Sequence, residues 1–416
     1  MILTLIKNEF IKLFKRPKTW VLLGLFFLSA AGLTGLSYLE EKNTLDNINP
    51  KYRIEIEKSN LEHYKENVKI AEKEWKNSKN AQEKESNLKW LEQSKIDLEN
   101  VQDEIKRLEK LIENPPTWQE ELKEQIKARE ESLKYMESDG VYSKAQIEAD
   151  KEWLELYKYY LENNIKPVEM WEFNPIMTLL TFSFILSVAI PVFIAVFGSD
   201  IVSDESTNET FKFLLIQPVS RGKILLSKFL TFLITSVTLI FGTQGIIFGI
   251  IGAIRGFKGF DQFTKVGLRY EIDKEVLLKE GYETLKQIEG TGEWITYGEL
   301  LGQSLFLQLL FVIACCAVVF MISTLVKSNM VGMAVSIILV VGGSVLPLMI
   351  PKIAKLAHLT FLGYGNAPAI INGEIAHVFH ANVNFRPGMG MVVLLATTII
   401  SYIIAHIVFE KRDILV

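Results

Sequence analysis

Cysteine is almost absent from the sequence, and the placement of the two cysteines excludes several kinds of site. Cys315 and Cys316 are adjacent and lie inside an apolar run, so the chain has neither a disulfide framework nor a cysteine-ligated zinc site. The glycine-rich phosphate loop of nucleotide-binding proteins is missing, as are the nucleophile elbow of hydrolases and the zinc-binding helix of metalloproteases. The formal net charge is -4, which excludes a strongly basic nucleic-acid-binding protein.

Charge and hydrophobicity are segregated along the chain of 416 residues, which is 49% hydrophobic and has a positive mean hydropathy of +0.20. Residues 40–165 include 30 acidic and 22 basic residues, a net charge of -8. The other 290 residues include 19 acidic and 23 basic residues, a net charge of +4. This segregation excludes a wholly soluble protein and indicates a membrane protein with one polar insertion.

Six mostly apolar runs are long enough to cross the hydrocarbon core of a membrane as helices. They are residues 18–38, 176–197, 224–253, 300–326, 330–350 and 389–409. The sequence therefore predicts an all-α polytopic membrane protein with six transmembrane helices. No charged residue lies near the centre of a run, which argues against ion-coupled transport through intramembrane carboxylates.

Six spans place both termini on the same side of the membrane. The first 18 residues contain five basic residues against the single acid Glu9, so the positive-inside rule predicts that both termini are cytoplasmic. Apolar residues at helical spacing before Pro17 predict an interfacial helix, which together with the first span makes up residues 1–39. Residues 166–416 then hold the other five spans, with a cytoplasmic loop at 198–223 and outer loops at 254–299 and 351–388.

The insertion at 40–165 is predicted to lie outside the cell as an antiparallel coiled-coil hairpin. A repeat of apolar residues at three- and four-residue spacing runs from Leu61 to Ile112, and a second amphipathic stretch follows Pro115 and Pro116. We expect arms at 52–112 and 117–163 to pair, because each has an apolar stripe that would otherwise face water. The polar stretch 76–86 is a candidate break in the first arm.

The cytoplasmic loop between the second and third spans carries a family resemblance. It resembles the corresponding loop in permease subunits of ABC transporters of the type 2 exporter class. The matching positions are Glu205, Thr210, Leu214, Leu215, Pro218, Ser220, Arg221 and Lys228. Glu209 stands where the family has a glycine before the threonine, so the start of the coupling helix can differ by a residue or two.

The resemblance implies a transmembrane subunit that pairs with a second permease subunit, as a homodimer or a heterodimer, and docks a cytosolic ABC ATPase on this loop. The partner ATPase, and not this chain, would then bind ATP and Mg²⁺. Apolar anchors and a charged rim are expected in the loop. The candidate coupling residues are Asp204, Glu205, Thr210, Phe211, Phe213, Leu214, Pro218 and Arg221. An ordinary surface loop that shields the helix ends is the alternative.

The implied function is ATP-driven export at the bacterial envelope of a peptide, lipid or drug-like substrate, with antimicrobial peptide resistance as one such role. Lysine outnumbers arginine 36 to 9, which is typical of a bacterium with an AT-rich genome. The rival hypothesis is a mechanotransmitting or signalling subunit, in which the ATPase drives the coiled coil without transport. In either case we expect contacts with membrane lipids, and an envelope partner for the coiled coil.

A weak metal candidate lies in the last outer loop, where Glu374, His377 and His380 are spaced three residues apart. The alternative is an interfacial helix that buries its apolar residues and leaves the histidines in water or at headgroups.

Three glutamines, Gln244, Gln303 and Gln308, lie within the apolar runs. They either form hydrogen bonds between helices or line a transport path.

Overall fold

The computed structural model describes residues 2–139, 142, 144–169, 171–207 and 219–411. In chain order its helices are α1 (Ile2–Lys15), α2 (Pro17–Ile48), α3 (Pro50–Lys76), α4 (Ala81–Glu113), α5 (Trp118–Asp139), α6 (Lys144–Glu162), α7 (Pro175–Gly198), α8 (Ser203–Thr207), α9 (Arg221–Arg255), α10 (Lys274–Glu280), α11 (Tyr297–Leu325), α12 (Asn329–Met349), α13 (Pro351–Ala354), α14 (Ala367–Asn372), α15 (Ile375–Val378) and α16 (Pro387–Lys411). The strands are β1 (Phe263–Val266), β2 (Tyr270–Ile272), β3 (Leu285–Gln287) and β4 (Glu293–Thr296). The chain divides into a membrane unit, Met1–Leu36 with Glu172–Val416, and a helical insertion, Ser37–Trp171.

Six helices in the described part of the chain are long and apolar enough to cross a membrane: α2, α7, α9, α11, α12 and α16. Each coincides with one of the six apolar runs in the sequence. The prediction of an all-α polytopic membrane protein with six membrane-spanning helices is therefore confirmed.

Local sequence signals begin several of these helices. Pro17 is the first residue of α2, where its missing N–H costs no hydrogen bond. The side chain of Asn174 caps α7 by accepting a hydrogen bond from the N–H of Met177 at 2.9 Å. Thr296 and Glu299 form a reciprocal capping box at the start of α11. These caps satisfy backbone donors that would otherwise be unpaired at the helix ends.

Helix α11 is the most buried of the membrane helices and packs against α7, α9 and α16. Phe311 and Phe320 are fully buried on it, and so are the two cysteines. Cys315 and Cys316 are thus small core residues, as the sequence indicated. Helix α2 is the least buried, and most of its apolar surface is exposed.

The segment between α9 and α11 contains short strands that the sequence analysis did not predict. β1 pairs with β4 and β2 with β3, both antiparallel, in two separate two-stranded sheets. Two backbone hydrogen bonds connect this segment to the end of α14. The N–H of Gly267 donates to the carbonyl of Ile371, and the N–H of Leu268 donates to the carbonyl of Asn372. The strands are three or four residues long, too short for a clear alternating pattern.

The helical insertion pairs its helices differently from the prediction. The expected long arm is broken at residues 77–80, where Asn80 caps α4, and α4 then packs antiparallel on α3. Lys58 lies near Glu109, whereas Glu72, further along α3, lies near Lys95. Helices α5 and α6 form the second pair. The apolar stripes of α3 and α4 therefore cover each other, and so do those of α5 and α6. The four-residue break at 77–80 lets α4 fold back on α3 at a small cost in chain entropy.

Candidate functional site

The cytoplasmic loop predicted from the sequence begins in a short, well-anchored segment between α7 and α8. Val202 and Ser203 are fully buried, and their backbone N–H groups donate hydrogen bonds to the Ser323 hydroxyl at 3.1 and 3.3 Å. The side-chain amide of Asn329 donates a hydrogen bond to Asp204 Oδ1 at 2.8 Å. The segment is therefore held by the end of α11 and the start of α12.

A buried lysine joins this segment to two other helices. The ammonium of Lys228 on α9 lies 2.5 Å from Glu205 Oε1 on α8 and 3.0 Å from Glu9 Oε2 on α1, and its side chain is only 2% exposed. Lys12 completes the group, at 3.0 Å from Glu9 and 3.9 Å from Glu205. The two carboxylates and two ammonium groups, here called the Lys228 cluster, balance in charge. Such pairing is what allows an ammonium to stay charged in a buried position.

The turn between α1 and α2 is bound to the same segment by a second set of ion pairs. The guanidinium of Arg16 lies 2.8 Å from Asp204 Oδ2, and the ammonium of Lys18 lies 2.9 Å from Asp200 Oδ2. Arg16 also approaches Asp200 at 3.7 Å. This Arg16 cluster and the Lys228 cluster fix α1 and the start of α2 to the α7–α8 turn and to α8.

Glu9 lies outside the membrane-spanning segments, and its pKa reflects the cluster around it. Burial by itself would raise the pKa of the Glu9 carboxyl, but the ammonium groups of Lys228 and Lys12 outweigh burial and hold the pKa below its ordinary value of 4.5. Glu9 is thus ionised at neutral pH.

The structure describes three of the candidate coupling residues. Asp204 is partly buried and binds Arg16 and Asn329, and Glu205, expected at a charged rim, is 8% exposed and paired with Lys228. Arg221 begins α9 and donates a hydrogen bond to the carbonyl of Glu410 on α16 at 3.0 Å. The other candidates, Thr210, Phe211, Phe213, Leu214 and Pro218, lie outside the described residues.

Sequence reasoning missed the part that Glu9 plays. A signal was available, because Glu9 is the only acid in the basic N-terminal segment and sits four residues from Leu5 and from Leu13, on the apolar face of α1. A carboxylate on an apolar face requires a buried cation as partner. Lys228 is one of several basic residues at the ends of the apolar runs, so the sequence does not say which of them is the partner.

The weak metal candidate is not assembled as helical spacing suggested. Among the described residues, no group of three or more metal-ligating side chains is close enough to hold an ion. His377 packs against the ring of Tyr270, and His380 bonds to the carbonyl oxygen of Leu348 at 2.9 Å through Nε2. Helix α15 is only four residues long, and the backbone turns left-handed at His380 and Ala381, so the three-residue spacing does not place the side chains on one face.

Comparison with known proteins agrees with this architecture. A family model described as ABC-2 family transporter protein matches residues 3–414, nearly the whole chain. No curated protein matches the chain. The match confirms the resemblance inferred from the cytoplasmic loop and extends it over all six spans. The chain belongs to the ABC-2 transporter family, as a membrane permease subunit of an ABC transporter.

Proposed function

We propose that this permease subunit forms part of an ATP-driven exporter in the plasma membrane of a bacterium, with both termini in the cytoplasm. A cytosolic ABC ATPase would bind ATP and Mg²⁺ and dock on the loop at 198–223. The substrate would be a peptide, a lipid or a drug-like compound. The proposal is supported by family membership and by the basic residues of the N-terminal segment, which favour a cytoplasmic location.

The observation that carries the proposal is the ionic connection of the loop to the membrane helices. Glu205 at the start of the loop binds Lys228 on α9, and through it Glu9 on α1. Arg221, at the other end of the loop, binds the last turn of α16. A displacement of the loop by the ATPase would therefore move α1 and α9 together, because breaking a buried ion pair is costly. The hydrogen bond of Arg221 would link the same movement to α16.

Within this mechanism the candidate residues divide into two groups. Phe211, Phe213 and Leu214 would be the apolar anchors in a groove of the ATPase, with Thr210 and Pro218 shaping the loop around them. Asp204, Glu205 and Arg221 would act as positioning residues that hold the ends of the loop on the membrane helices. The anchors would be displaced by the ATPase, and the positioning residues would transmit that displacement to the membrane helices.

The small cavities between the membrane helices bear on where a substrate could cross. One cavity between α7, α9 and α11 and another beside α12 each have a volume of about 20 Å³, enough for one water molecule. A peptide, lipid or drug would need a far larger path. We therefore place the path between this subunit and a second permease subunit, and the exposed apolar surface of α2 offers a face for that contact.

A double variant, Phe213→Asp with Leu214→Asp, tests the docking proposal. We expect the variant to insert in the membrane but to lose both co-purification with the ATPase and stimulation of ATP hydrolysis. Lys223→Glu, which changes the net charge by the same amount at an exposed residue at the end of the loop and away from the proposed anchors, is the matched control and should keep both. Normal stimulation in the double variant would overturn the assignment.

The rival function is mechanotransmission through the helical insertion, and the same small cavities favour it. A transport measurement distinguishes it from export. Reconstituted complexes that hydrolyse ATP and move labelled peptide, lipid or drug across vesicles support export. Complexes that hydrolyse ATP and change the distance between spin labels in the insertion, without moving any of these substrates, would support mechanotransmission instead.

A further inference from the structure

Three polar side chains converge at membrane depth inside the membrane unit. Gln244 on α9 and Ser304 and Gln308 on α11 are each more than nine-tenths buried. The side-chain oxygen of Gln244 and the hydroxyl of Ser304 have no hydrogen-bond partner within the described part of the chain. Unpaired polar atoms are expensive in an apolar environment, so this arrangement calls for a partner other than the described side chains of this chain.

The three side chains line the same cavity. It has a volume of about 20 Å³, and the rest of its wall comes from α7, α11 and the turn at Gly365. A cavity of this size holds one water molecule when it offers two to four polar partners, whereas an apolar cavity of similar size stays dry. Gln244, Ser304 and Gln308 supply three such partners.

We propose that this cavity is a binding site for a single ordered water molecule. The water donates one hydrogen bond to Gln244 Oε1 and exchanges a second with the Ser304 hydroxyl, and it lies within reach of the Gln308 amide. It thereby joins α9 to α11 in the region where both face α7, with the energy of a direct hydrogen bond between helices. The two inner glutamines are hydrogen-bonding groups between helices, and the cavity is too small to be part of a substrate path.

Gln303 provides an internal contrast. It is adjacent to Ser304 on α11 but exposed on the outer surface of the helix, and it does not line the cavity. The site therefore depends on the face of the helix and not on the presence of glutamine in the apolar run.

Radiolytic footprinting of the full chain in lipid nanodiscs tests the proposal. X-rays split bound water into hydroxyl radicals, which oxidise the side chains beside it even where bulk solvent is excluded. Leu301 lines the cavity, whereas Leu307, on the same helix, is buried away from it. We expect the oxidation rate at Leu301 to be several-fold higher than at Leu307. Equal rates would show a dry cavity and overturn the proposal.

A variant identifies the source of the radicals. Gln244→Met combined with Ser304→Ala removes the two unpartnered polar groups and should lower the rate at Leu301 to that at Leu307. Gln303→Met is the matched control and should leave the rate at Leu301 unchanged. An unaltered high oxidation rate at Leu301 in the double variant would mean that radicals arrive from bulk solvent, which also overturns the proposal. If the double variant folds poorly, the comparison of Leu301 with Leu307 in the wild type still tests the proposal.

Discussion

The ammonium of Lys228 lies 3.0 Å from the carboxylate of Glu9, although 219 residues separate them in the sequence. This contact bridges the N-terminal helix α1 and the third membrane-spanning helix α9, and Glu205 adds the start of the loop between α7 and α9 to the same ammonium. The N-terminal helix, the loop and the membrane helix thus meet at one buried charge. Several consequences of this joint and of the surrounding packing can be measured.

Replacing Lys228 by methionine should destabilise the protein by about 3–5 kcal/mol, because Glu9 and Glu205 would lose their main buried cation. Thermal unfolding of the detergent-purified protein measures the loss. Adding Glu9→Gln to the variant should recover part of it by removing one unpaired charge. Lys12→Met is the control, since Lys12 is about half exposed and should contribute only about 0–1 kcal/mol. Equal losses of stability in the two single lysine variants would contradict the importance of the buried ion pairs of Lys228.

Acid should weaken the attachment of α1 through Glu9. Its folded pKa lies below the ordinary value of 4.5, so Glu9 contributes stability that is fully present above 4.5 and is lost as the pH falls through 4.5 toward the lower folded value. Thermal unfolding of wild type and of Glu9→Gln, compared from neutral pH downward, isolates this contribution. The stability difference between them should shrink on acidification, and a constant difference would show that Glu9 is not the titrating group.

The close approach of α7 and α9 makes Gly198 sensitive to substitution. A Cβ atom at Gly198 would lie 2.2 Å from Cζ of Phe232, so Gly198→Ala should cost about 1–3 kcal/mol. At Gly242 nothing lies within 4 Å of such an atom, and Gly242→Ala should be neutral or stabilising by about 0.5–1 kcal/mol. Thermal unfolding of the two purified variants measures this difference. The prediction is wrong if the stabilities of both variants change in the same direction.

The helical insertion should be accessible from outside the cell. The connection between α4 and α5 at residues 114–117 is not helical, so a protease site introduced between Pro115 and Pro116 should be open to cleavage. Protease added to intact cells is expected to cut there. The same site placed within 208–218 should be cut only after lysis. The reverse pattern would invert the topology.

Residues 45–163 should be dispensable for assembly with the ATPase. The insertion has its own buried residues, among them Ala71 and Leu108, and the membrane unit has a separate core. A short glycine and serine linker in place of 45–163 should leave a protein that inserts and co-purifies with the ATPase but has less substrate-dependent activity. Loss of ATPase binding would make the insertion part of the permease core.

Much of the candidate site could be located from the sequence, but its internal arrangement could not. The resemblance identified Glu205 and Arg221 because their order in the loop is a local pattern, and the expected charged rim added Asp204. It could not tell that Glu205 is buried, since burial depends on α1, which lies almost 200 residues earlier in the chain. Glu374, His377 and His380 show the opposite case. Their three-residue spacing would place them on one face of a longer helix, but the helix ends after four residues and they do not come together.

The six membrane helices can be predicted from the sequence alone, because the length and hydrophobicity needed to cross a bilayer belong to neighbouring residues. The sequence also predicts that the insertion is helical, since the three- and four-residue apolar repeat is local. Which stripe covers which depends on the folded arrangement. The breaks before and after α4 are both four residues long, so α4 could fold back on either neighbour, and it packs on α3. The same holds for Glu9 and Lys228: each charge is visible in the sequence, but only folding brings the two into a shared, water-poor position in which they must pair.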